Sequence, residues 1–212
     1  MVIKMQFLRK PAANTPLCLG ILIAAFVYGL VLPFCWGNDP ASTYGTLSLL
    51  CEHRVGWFWV WALLTGGSIA LNLSRACVTH GCRTRIPEIS ILISLFGMLL
   101  TAATLNHSIE SWNPKRVAHW IGAIAYAAFL LIAVASFYLA CVKRNPRLWF
   151  LLAAAAVAGL AVLIQLLVFG RNGYMEILPI ALVEVELFVL NYTKFTAKSR
   201  GAANAAQNKK QA

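Results

Sequence analysis

Seven carboxylates occur in this 212-residue chain, and two of them, Glu184 and Glu186, stand inside an apolar run, ALVEVELF. An ionised group at bilayer depth costs roughly 2.5–3.5 kcal/mol on insertion scales, so acids kept there require protonation or a partner. On a helix the two project about 200° apart, and only one can face a bundle axis squarely. Glu184 follows Tyr174 by ten residues, roughly 15 Å of helix, and is the expected midplane group. A proton relay or a polar headgroup site is the chemistry open to it; the plainer reading is a neutral Glu bonded to a neighbouring helix. Glu176 lies eight positions earlier, about 80° around the same helix. With Gln165 of the preceding run at a similar depth, a polar track from the outer surface to Glu184 is expected.

A second group, His53, His107, Glu110, His119 and Glu176, falls at the ends of apolar runs. His107 and Glu110, three residues apart, would share a helix face. Imidazole with carboxylate can bind zinc or exchange protons. No H-E-x-x-H or comparable ligand spacing accompanies them, so wet loop residues are the plainer reading. Neither a metal nor a cofactor is expected. Among the six cysteines, Cys35 and Cys51 flank one connection where an oxidising compartment would permit a disulfide or leave both free. CVTHGC places His80 between Cys77 and Cys82, half a metal site at most; free thiols or palmitoylation are simpler. P-loop, G-x-S-x-G and dinucleotide-binding glycine patterns are all missing from the sequence.

The elements that would hold these groups are set by composition. Hydrophobic residues make up 60% of the chain and charged residues 12%, far from the roughly 25% charged of soluble domains. Lys and Arg skip six stretches close to or longer than the ~20 residues a helix needs to cross hydrocarbon. The fold class expected is therefore all-α, an integral membrane bundle of six transmembrane helices. The spans are placed near 16–36, 55–74, 88–106, 117–142, 148–169 and 174–192. They must be helices, because lipid offers backbone groups no partner and the runs lack the alternation of barrel strands. A cytoplasmic segment 1–15 precedes them, and a basic polar tail, 194–212, follows as a disordered leash.

Fourteen of the 18 Lys and Arg fall in the N-terminal segment, the second and fourth connections and the tail. By the positive-inside tendency, both termini are cytoplasmic. Trp36, Trp57, Trp59, Trp112 and Trp120 then lie at outer span ends, as interfacial tryptophans do. The first span is too long for a signal-peptide core and is expected to remain uncleaved. Pro33 should kink its outer end, and Pro179 could do the same in span six. Small residues, Ala153 to Ala161 in span five and Gly66 to Ser68 in span two, predict close helix packing. Asn106-His107-Ser108 is a glycosylation acceptor too near the bilayer to be used.

The stretch GMLLTAATLNHSIESWNPKRVAHWIGAIAYAAFLLIAVASFYLA, with Gly97, His119 and Gly122 as its matching positions, resembles the middle of a bacterial six-helix membrane family known only as a domain of unknown function. GRNGYMEILPIALVEVELFVL resembles that family's closing helix. More distantly, the chain is similar to DRAM and FRAG-like six-helix proteins. The resemblance implies a fold and no particular reaction.

The leading expectation is a non-catalytic membrane protein that binds lipid or a membrane partner in a polar pocket between helices. Glu184, Glu176, Gln165, His119, His107 and Glu110 are the candidate lining. An intramembrane enzyme using the His/Glu cluster stands second and a small proton-coupled transporter on Glu184 third. The basic charge is accounted for by anionic headgroups, and nucleic acid is not an expected partner. The location is the cell membrane of a bacterium, or the endoplasmic reticulum of a eukaryote, where Lys209-Lys210-Gln211-Ala212 has the form of a retrieval signal.

Overall fold

The computed structural model of the chain describes residues 11–42, 45–82, 84–105, 113–170 and 172–195, and every regular element among them is helical. Six long helices follow one another: α1 Thr15–Val31, α2 Val55–Thr79, α3 Ile86–Ala103, α4 Pro114–Cys141, α5 Leu148–Phe169 and α6 Gly173–Tyr192. Five stretches are long and apolar enough to cross a membrane: Thr15–Gly37, Val55–Thr79, Ile86–Ala103, Pro114–Cys141 and Leu148–Gln165. α6 is of comparable length but carries Glu176, Glu184 and Glu186 within its 20 residues.

Local sequence sets the helix ends. Asn14, Asn113 and Asn172 precede α1, α4 and α6, and each side-chain oxygen accepts a backbone N–H of the first turn, which satisfies a donor that the helix cannot. Pro16 and Pro114 sit in the first turn of α1 and α4, where a missing N–H costs nothing. At Pro33 the α-helix has given way to a tighter 3-10 segment, Leu32–Gly37. Pro179 lies inside α6 without ending it.

Successive helices run in opposite directions, so the bundle has two ends. Tyr28, Trp36 and Trp57 gather at the aromatic end: Tyr28 stacks on Trp57, Trp36 meets Trp57 edge-on, and the Arg54 guanidinium lies 4.3 Å above the Trp36 ring. The basic end carries Arg75, Arg85, Arg144 and Arg147. α2 is the central helix, packed on α1, α3 and α6, while α3 and α4 form the most intimate pair. Gly97 and Gly122 make that closeness possible: a Cβ added to either would come within 2.8 Å of the other's carbonyl oxygen.

The small residues of α5 do not act in this way. Gly159 has nothing within 4 Å, and Ala153, Ala154, Ala156 and Ala161 are exposed. Close packing was expected there; instead α5 lies at the rim and turns Val157, Leu160, Leu163 and Leu167 outward. Gly67 likewise meets nothing, whereas Gly66 is pressed against Leu95 and Met98 of α3.

Candidate functional site: a polar seam between α2 and α6

On α2 the polar residues Thr65, Ser68, Asn72 and Arg75 recur at intervals of three and four, the spacing that lines one helix face. Thr65, Ser68 and Asn72 are fully buried. α6 runs parallel to α2 and presents Glu184, Asn191 and Tyr192 to this stripe. Glu184 is 2% exposed and faces Ser68. The Tyr126 phenol of α4 lies near Glu184. Ser94 of α3 fixes that part of α4 by donating to the Tyr126 carbonyl at 2.9 Å.

Among the described residues, Thr65 Oγ1, Ser68 Oγ, the Tyr126 hydroxyl and Glu184 Oε1 are buried without a hydrogen-bond partner. Buried polar oxygens are normally paired, since leaving one unpaired costs about 1–3 kcal/mol. Of these hydroxyls, those of Ser68 and Tyr126 stand near the Glu184 carboxyl group, and a carboxyl group with hydroxyl neighbours can hold and pass a proton.

Towards the basic end the seam continues as hydrogen bonds. Asn72 Nδ2 donates to the carbonyls of Ser68 (3.0 Å) and Cys18 (3.1 Å), and Tyr192 Oη donates to Asn72 Oδ1 at 2.7 Å. Asn191 Nδ2 donates to the Asn72 carbonyl at 2.9 Å. Arg75 lies over the Tyr192 ring and donates to the Ala12 carbonyl at 3.1 Å, where the seam meets solvent. Towards the aromatic end, Phe58, Trp61, Ile177 and Ile180 are buried.

Glu186 points elsewhere, as a 200° separation requires. It accepts a 2.7 Å hydrogen bond from the Tyr138 hydroxyl of α4, and both groups are buried.

The expected outer track through Glu176 and Gln165 is not formed. Glu176 accepts from the backbone N–H of Ser48 at 3.2 Å and from its hydroxyl at 3.1 Å, anchoring the short helix Leu47–Leu50. Gln165 Nε2 donates to Asn172 Oδ1 at 3.1 Å, bracing the turn between α5 and α6. Both are spent on local structure at the aromatic end, because loop polar groups lie nearer to them than Glu184 does.

His119 is buried, with Nδ1 3.0 Å from the Thr101 carbonyl, which ties α4 to α3 rather than lining a pocket. His107 and Glu110 lie outside the described residues, and Asn106 with them. No group of three or more His, Cys, Asp or Glu with metal-binding geometry occurs among the described residues. Cys35 and Cys51 are both free thiols; Cys35 donates to the Val31 carbonyl. Burial, with Glu176 nearby, pushes the Cys51 thiol up to about 12.

A shallow apolar groove of about 520 Å³ runs along α1, lined by Gly20, Ile23, Ala24, Val27, Tyr28 and Val31. None of the polar residues expected to line a pocket belongs to it. Most of the seam carries no carboxylate, and its signal in the sequence is the 65, 68, 72, 75 spacing of polar residues in an apolar run. Compared with family models, curated proteins and solved structures, the chain matches none.

Proposed function

We propose that the chain is a six-span integral membrane protein with both termini cytoplasmic, and that it works by binding and releasing a proton at Glu184, as a small proton-coupled carrier does. The observation that carries this reading is the seam: a buried carboxyl group beside Ser68, continued among the described residues by Asn72 and Tyr192 towards the basic end. Intramembrane acids that face a bundle interior commonly mark such relays. The excess of Lys and Arg assigns the basic end to the cytoplasm, so the proton would be exchanged with that side. The membrane is the cell membrane in a bacterium or that of the endoplasmic reticulum in a eukaryote.

Infrared difference spectra of the protein in proteoliposomes, taken across a pH step, test the relay without knowledge of a solute. A protonated-carboxyl band that shifts in D2O and vanishes in Glu184→Gln is the expected result. A band that survives in Glu184→Gln, or that fails to shift after hours in D2O, overturns it. Accessibility tags at the two termini and in residues 37–46 test the threading, since they must label from opposite sides.

A second reading, lipid binding, is favoured by the α1 groove, whose apolar lining suits an acyl chain. Mass spectrometry of lipid retained by the wild type and by Ala24→Trp, which would fill the groove, separates it from the first.

A further inference from the structure

Three thiols meet at the basic end, and the backbone explains how. α2 ends at Thr79, and Gly81 adopts φ +63°. The Gly81 N–H then reaches the Val78 carbonyl at 3.3 Å and the Cys82 N–H reaches the Cys77 carbonyl at 2.8 Å. This pair of bonds is the Schellman ending of a helix, which brings the side chains of its two outermost partners into contact; elsewhere that contact is apolar. Here the two side chains are Cys77 and Cys82. Arg144, just beyond the end of α4, clamps the turn by donating to the Gly81 carbonyl at 2.7 Å. That clamp also carries Cys141, three residues earlier, against Cys82. Cys77 and Cys141 are buried, whereas Cys82 is partly exposed.

We propose that Cys82 is a redox-reactive thiol whose oxidation is resolved by Cys77, closing a reversible intramolecular disulfide across the end of α2. The oxidant is a low-molecular-weight disulfide. The Cys82 thiolate attacks one of its sulfurs and expels the first small thiolate, leaving a mixed disulfide. The Cys77 thiolate then attacks the Cys82 sulfur and expels the second. Two cysteine thiols are oxidised, one small disulfide is reduced to two thiols, and the two cysteine protons pass to the departing thiolates. Access selects Cys82 for the first step, because the other two sulfurs are covered. The helix ending selects Cys77 for the second, because the same two backbone bonds hold both residues. A thiol flanked by two thiol donors is also easier to ionise, and the Cys82 thiol lies well below its ordinary range for that reason, with Cys77 the larger influence.

The test treats the full-length chain in detergent with oxidised glutathione, then quenches and maps the peptides. The expected product joins Cys77 to Cys82, retains no glutathione and reverts with dithiothreitol. Cys82→Ser should slow loss of Cys77 thiol at least about tenfold, and Cys77→Ser and Cys77→Ala should both stop at the mixed disulfide on Cys82. A stable mixed disulfide in the wild type, a Cys82–Cys141 bond, or unmodified Cys82 would each overturn the proposal.

Discussion

The Tyr192 hydroxyl donates to Asn72 Oδ1 across 2.7 Å, pinning the last turn of α6 to the half of α2 nearer the basic end. Asn72 also donates to the Cys18 carbonyl of α1, so one buried amide ties three helices together. Asn72→Ala removes the partners of several buried groups and should lower stability by about 1–3 kcal/mol. Tyr192→Phe should cost about 1 kcal/mol, in the range of hydrogen bonds inside membranes. Denaturation in mixed micelles should show the double variant to be less damaged than the sum of the two. Strict additivity would mean that this bond contributes nothing.

Gly97 and Gly122 permit backbone contact between α3 and α4, where any side chain would meet carbonyl oxygen. Gly122→Ala should therefore destabilise by about 1–3 kcal/mol through overpacking. Gly159→Ala, on a surface with nothing within 4 Å, should be neutral or stabilise by up to about 1 kcal/mol, alanine being the better helix former. Thermal unfolding of the two variants side by side checks the contrast. Equal effects would refute the assignment of α3–α4 as the tight pair.

Cys82 and Cys51 should differ in alkylation. Cys82 is depressed by its thiol neighbours and Cys51 is raised to about 12 by burial and Glu176. The thiolate is the reacting form and its fraction grows as pH rises through the pKa. Cys82 should thus react with iodoacetamide at pH 7, while Cys51 stays inert until the medium is strongly alkaline. Peptide-resolved labelling from pH 5 to 10 provides the curves. Removing the adverse carboxylate in Glu88→Gln should shift the Cys82 curve to still lower pH, since Glu88 opposes ionisation there.

Glu176 holds Ser48 by two hydrogen bonds. Glu176→Ala should free the segment around Leu47–Leu50, raising its hydrogen exchange at least about tenfold for a loss of about 1.4 kcal/mol or more. It should also ease ionisation of Cys51, because Glu176 is one of the groups that raise that thiol. An unchanged exchange rate would show the anchor to be idle.

The long helices are legible in the residue order because they follow from a one-dimensional quantity, the length of chain without Lys or Arg. The six long helices overlap the six expected stretches, their ends differing by up to five residues, and Pro33 acts locally, needing no neighbour. Glu184 could be singled out for the same reason, being a carboxyl group in an apolar run. Its partners could not. In a chain like α5, apolar on every side, nothing in the pattern separates a lipid-facing stripe from a core-facing one, since lipid and protein interior select the same side chains. Hence the alanine run of α5 looks like a packing face and lies exposed, and Gln165 and Glu176 look like a track and serve loops.

Composition and span lengths thus determined the material of this protein: helical, apolar, with acids placed where they need company. Which helices become neighbours was decided only in three dimensions. The Gly97–Gly122 contact draws α3 onto α4, α2 settles between α1, α3 and α6, and only then do Ser68 and Asn72 stand beside Glu184 and Tyr192. Helix adjacency depends on how whole surfaces fit together, a property no single segment carries in its own order of residues.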